Sequence, residues 1–121
     1  MKPAVPARNG HRVRLLAGAH DLFPAMIAAM AAARHSIHIE TYIFDFDGEA
    51  LDVANALADA ALRGVQVRIA LDGVGTPAVP LLWQQRWAQT GVQWRRHAPL
   101  GRLGLLIPSR WRRLHRKLCV V

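Results

Sequence analysis

The residues best suited to do chemistry stand together in His115-Arg116-Lys117-Leu118-Cys119-Val120-Val121. An imidazole and an ammonium are two positions apart, just before an apolar run that reads as a buried strand. In an extended segment residues i and i+2 point to the same side, so His115 and Lys117 can face one anionic group together. The imidazole would serve as nucleophile or acid–base group, and the ammonium as a fixed positive charge. The spacing by itself also suits a basic turn leading into a core strand. Composition sharpens it: the chain has fourteen Arg and only two Lys, Lys2 and Lys117. A sequence that otherwise uses Arg keeps Lys beside this histidine.

Two carboxylates are candidates to support such a pair. Glu40 lies in an alternating segment, 36–44, where Ile37, Ile39, Thr41 and Ile43 share one face and His38, Glu40, Tyr42 and Phe44 the other. It reads either as an edge carboxylate facing water or as a buried acid that orients a base or a basic side chain. His35 and His38 read as ordinary packing or surface histidines. Asp72 ends a second alternating segment and opens the loop Asp72-Gly73-Val74-Gly75. In open α/β sheets ligands bind at that carboxyl end, although Asp-Gly is also an ordinary turn. A further group, Arg110-Trp111-Arg112-Arg113 with Arg116, follows a short apolar patch at 103–107. Trp at headgroup level and Arg on phosphates suit a membrane interface. The same side chains would stack bases and hold phosphates in a nucleic-acid groove, and a loop packed on its own core accounts for the patch as well.

The elements that must position these residues follow from periodicity. Residues 1–10 read as a flexible leader, basic and broken by Pro3 and Pro6. Val13 and Leu15 alternate with Arg12 and Arg14, which predicts a half-buried strand over 11–16. A helix is expected over 22–33, with Asp21 as N-cap and Pro24 in its first turn. The 36–44 segment is the clearest strand. Leu51, Ala54, Leu57, Ala58 and Ala61 predict a helix over 49–63 that stops at Gly64. Val65, Val67, Ile69 and Leu71 predict the next strand. Trp83 and Trp87 stand at i, i+4 in a helix over 81–89, and a short strand follows over 92–95. The order β-α-β-α-β-α-β with short connections predicts an α/β fold: a mainly parallel, mixed sheet flanked by helices.

At 121 residues the chain is at most one domain, and 52% apolar composition makes it globular. Its one cysteine, Cys119, excludes an internal disulfide framework and a Cys-based zinc site. The N-terminus lacks the apolar stretch of a signal peptide, and no window nears the roughly twenty apolar residues of a spanning helix. The expectation is a soluble or peripheral, cytoplasmic chain. All eight acids lie between Asp21 and Asp72, whereas residues 73–121 hold nine Arg plus Lys and no acid. A basic half of this kind expects a polyanion, either nucleic acid or anionic lipid headgroups.

Several ordered blocks then point one way: Asn9-Gly10-His11-Arg12-Val13, Ile39-Glu40-Thr41-Tyr42-Ile43-Phe44, Ala60-Ala61-Leu62-Arg63-Gly64-Val65-Gln66-Val67-Arg68, Asp72-Gly73-Val74-Gly75, Gly91-Val92 and Arg112-Arg113-Leu114-His115-Arg116-Lys117-Leu118. Over residues 9–121 the chain resembles the first half of the B-type bacterial cardiolipin synthases of the phospholipase D superfamily. The final block is similar to that superfamily's H-x-K-x4-D signature. The signature's Asp falls at the position after Val121, so 11–121 is expected to be an incomplete first phospholipase D-like domain, truncated at its C-terminus and lacking the second.

The resemblance implies a phosphatidyltransferase, or a piece of one, with no metal or other cofactor. His115 would attack phosphorus to form a phosphohistidine and Lys117 would bind the non-bridging oxygens. A partner His from the second half would protonate the leaving alcohol, and a lipid alcohol would then accept the phosphatidyl group. Partners would be anionic phospholipids, phosphatidylglycerol and cardiolipin, at the cytoplasmic face of the bacterial membrane. Arg110, Trp111, Arg112, Arg113 and Arg116 would contact headgroups, with Glu40 and Asp72 in support. Two alternatives stay open: a phospholipase D-like nuclease, disfavoured by the apolar 103–107 patch, and a non-catalytic basic module that binds anionic membranes or a truncation product with no function. The 121-residue chain alone is expected to be inactive.

Overall fold

The computed structural model describes residues 5–6, 10–97, 106 and 117–121. In chain order the elements are β1 (Val5–Pro6), β2 (Arg12–Val13), α1 (Gly18–Ala32), β3 (Ser36–Thr41), α2 (Gly48–Leu62), β4 (Gln66–Asp72), α3 (Leu81–Thr90), β5 (Gln93–His97) and β6 (Leu118–Val120). The main sheet is four-stranded in the order β5-β4-β3-β6. β3, β4 and β5 run parallel, while β6 is antiparallel to β3. The fold is α/β with a mixed sheet, as the alternation of periods predicts.

Each strand contributes alternate residues to one core. Ile37 and Ile39 of β3 and Val67, Ile69 and Leu71 of β4 are buried against Met30 of α1, Leu57 of α2 and Trp87 of α3. Between them, Ser36, His38, Gln66 and Arg68 are exposed. Successive right-handed crossovers that step along a sheet in one direction put their helices on the same face. Accordingly α2 and α3 share a single apolar cluster with that face, and Met30 brings α1 into the same cluster. On α2 the buried Val53, Ala54, Leu57, Ala58 and Ala60 form the stripe that a 3.6-residue period requires. Gly64, at φ +92°, ends this helix in the left-handed conformation that lacks a Cβ penalty. Just before it, the Arg63 guanidinium donates to the carbonyls of Met30 (2.9 Å) and Ala31 (3.3 Å), in the last turn of α1 where the regular helical bonding runs out.

The N-terminal elements differ from expectation. α1 begins at Gly18, and Asp21 lies inside its first turn, not at the N-cap. Its Oδ2 accepts from the Ala17 N–H at 3.0 Å, so the helix start is tied from within and can begin earlier. Pro24 therefore falls within the helix, past the first turn. The strand expected over 11–16 is reduced to Arg12–Val13, paired antiparallel with Val5–Pro6 and outside the main sheet. Val13 and Leu15 are 46% and 69% exposed. Alternation gives a segment an apolar face, but no facing layer among the described residues covers this one. β3 stops at Thr41 short of the expected Phe44, because the Thr41 hydroxyl donates to the Ile43 carbonyl at 2.9 Å and turns the chain.

Candidate active site

β6 decides where Lys117 stands. Leu118 pairs with Glu40 and Cys119 with Ile39, so the residue preceding β6 emerges at the carboxyl end of β3. There Lys117 is exposed and borders a cleft of about 540 Å3. Leu22, Phe23 and Met26 of α1 form one side; Glu40 and Thr41 of β3 and Leu118 and Cys119 of β6 form another. Ile43, Phe44 and Asp45, from the loop after β3, complete the wall. The result is a mainly apolar recess with an ammonium and carboxylates at its border. Such a recess suits an amphiphile whose charged end stays near the mouth.

Of the carboxylates expected to support the site, Glu40 borders this cleft and Asp72 does not. The Glu40 side chain is 19% exposed, and its Oε1 lies 3.3 Å from His38 Nε2. This favours the partly buried acid over the edge carboxylate facing water. Asp72 is fully buried at the end of β4, where its Oδ2 accepts from the N–H groups of Val74 (2.8 Å) and Gly75 (3.0 Å). Its described contacts order the following loop. His115, Arg110, Trp111, Arg112, Arg113 and Arg116 lie outside the described residues, as does the 103–107 patch apart from an exposed Leu106.

Two contributors escaped the sequence reading. Cys119 lies in the cleft wall, and its burial pushes the thiol pKa up, the direction of a poor nucleophile. Thr76, 3% exposed, donates its hydroxyl to the Tyr42 carbonyl (3.0 Å) and accepts from the Phe44 N–H (2.9 Å). A threonine after a glycine turn carries no signal that it will bridge two residues more than thirty positions away. Among the described residues there is no cluster of three or more His, Cys, Asp or Glu able to hold a metal ion, and no helix long and apolar enough to cross a membrane.

Comparison with known proteins fixes the class. The phospholipase D family member Nuc of Salmonella typhimurium superimposes with a TM-score of 0.59 at 24% identity, over 81% of this chain and 55% of that one. The family described as cardiolipin synthase, phospholipase D-like domain, matches residues 26–121. The chain belongs to that family. It is 34% identical over 114 residues to cardiolipin synthase B of Salmonella typhimurium, covering 94% of this chain and 28% of the relative. It is also 30% identical over 116 residues to cardiolipin synthase 1 of Bacillus cereus, covering 96% of this chain and 23% of the relative. The chain thus spans less than a third of the relatives' length.

Proposed function

We propose that the chain supplies one half of a phosphatidyl-transfer site that joins phospholipids into cardiolipin. The observation that carries this is Lys117 at the border of an apolar cleft, two residues after His115, in a chain of the cardiolipin synthase family. A phosphodiester is anionic and inert, so transfer needs a fixed positive charge on its non-bridging oxygens and a strong nucleophile. Lys117 supplies the charge, and His115 attacks phosphorus to give a phosphohistidine while the first alcohol leaves. The hydroxyl of a second lipid then displaces the histidine. A second phospholipase D-like half provides the acid that protonates the leaving alcohol. Arg110, Trp111, Arg112, Arg113 and Arg116 hold anionic headgroups at the cytoplasmic membrane surface, and the apolar recess receives the non-polar part of the lipid. The 121 residues by themselves are inactive in this scheme.

The test is a chimera in which this chain replaces the matching segment of a full-length relative. Cardiolipin formation from phosphatidylglycerol vesicles is expected from the chimera. His115→Ala should abolish it, and Lys117→Ala should lower kcat by about 100- to 1,000-fold, as for loss of one preorganised donor to a developing oxyanion. Full activity in either variant would remove the assignment.

A further inference from the structure

We propose that Thr76, with Gly75 and Asp72, is a positioning group for the candidate site: it locks the loop after β3 in place as a wall of the Lys117 cleft. Phosphodiester transfer across that cleft rests on the function proposed above; the lock itself does not. Ile43, Phe44 and Asp45 of this loop line the cleft. Tyr42 and Phe44 lie beyond the last β3 pairing, where the chain turns away into the loop. The Thr76 hydroxyl bridges the two residues, donating to the Tyr42 carbonyl and accepting from the Phe44 N–H at 3.0 and 2.9 Å. A hydroxyl is the smallest side-chain group that can do both at once.

Two further observations bear on the same joint. A Cβ at Gly75 would run into the Tyr42 carbonyl oxygen and lie 2.8 Å from the Tyr42 ring. Only a glycine lets the two loops approach closely enough for Thr76 to reach. The buried Asp72 carboxylate, through the Val74 and Gly75 N–H groups, fixes the turn that delivers them. The Thr76 N–H closes the turn on the Asp72 carbonyl at 2.8 Å. On the far side of the loop the Phe44 ring packs on Phe46 at 4.9 Å and on Trp87 at 5.8 Å. The main chain of Phe44 is held by one loop and its ring by another element. The wall of the cleft is thereby set from the carboxyl end of β4, which has no residue lining the cleft itself.

Cys119, the single cysteine and a cleft-lining residue, gives a natural reporter. Thr76→Val keeps the shape and removes both hydrogen bonds; Thr76→Ser keeps both. In the 121-residue chain, Thr76→Val should exchange the Phe44 amide about tenfold faster or more and alkylate Cys119 with iodoacetamide several-fold faster, through local opening. Thr76→Ser should match wild type in both, with cooperative melting in all three. Unchanged Phe44 exchange in Thr76→Val overturns the lock. Faster exchange with unchanged Cys119 alkylation overturns its role at the cleft. If Thr76→Val does not fold, wild type in sub-denaturing urea decides: Phe44 exchange and Cys119 alkylation should rise together, and independent responses overturn the proposal. Neither readout uses a phosphodiester, so failure of the lock and failure of the proposed function are separable. In the chimera, Thr76→Val should lower turnover and Thr76→Ser restore it.

Discussion

At the scale of single residues, Cys119 carries a consequence for stability. Its thiol lies in the cleft wall, and burial raises its pKa because the thiolate loses its hydration there. A raised folded-state value means that the native chain holds this proton more tightly than the unfolded one does. The stabilisation is complete below the ordinary thiol value of about 8.5 and is lost as pH rises through the folded-state value. Urea midpoints should therefore fall more steeply above about pH 8.5 in wild type than in Cys119→Val, a comparison that subtracts the other alkaline titrations. Equal slopes would show that the thiol is not shielded. Residue type made Lys117 and Glu40 conspicuous in the sequence, and both border the cleft. The apolar run around Cys119 places it in a buried strand, and it does pack partly buried against the core; the groove beside it leaves no trace in such a run.

At the scale of elements, α3 is organised by its tryptophans. Trp87 is fully buried and its ring lies 5.3 Å from Phe46, 6.0 Å from Trp83 and 6.4 Å from Trp94. Arg86 caps the group from outside, 5.2 Å from the Trp83 ring. The Trp87 Nε1 finds no hydrogen-bond acceptor among the described residues, and a buried donor left unpaired costs about 1–3 kcal/mol. Trp87→Ala should destabilise the chain by about 3–5 kcal/mol. Trp87→Phe should cost clearly less, because it keeps most of the ring contacts and removes that donor. Denaturant unfolding of both variants checks this; equal losses would mean that the indole N–H is satisfied in solution. The i, i+4 spacing made this helix and its buried side legible. The aromatic partners from the loop after β3 were not, since loops leave no period.

At the scale of the whole molecule, the two edges of the sheet formed by the described residues are unlike. β5 presents Arg95, Arg96 and His97, all exposed charges or polar groups of the kind that discourage strand addition. β6 has no strand on its outer side among the described residues, and Val120 and Val121 are 60% and 51% exposed. Self-association of the 121-residue chain through this edge is expected. Sedimentation velocity should show mass rising with concentration, and Val120→Lys should suppress the rise. A monomeric wild type at high concentration would contradict it. The parallel core of β3, β4 and β5 was legible because each crossover carries a complete pattern of strand, helix and stop. The placement of β2 was not, because a short alternating segment specifies which side is apolar but not which sheet it joins.

The antiparallel strand also sets an order in time. β3 meets β4 at a separation of about 30 residues, whereas His38 meets Val120 across about 80, a difference in loop closure of about 1 kcal/mol. Short-range crossovers assemble early and long-range pairings late. The scaffold of three parallel strands and their helices is thus expected to form before β6 joins it. On that order the strand that brings Lys117 to the cleft is expected to arrive last and leave first, so that a chain folded in most of its mass would still lack the Lys117 border of the cleft.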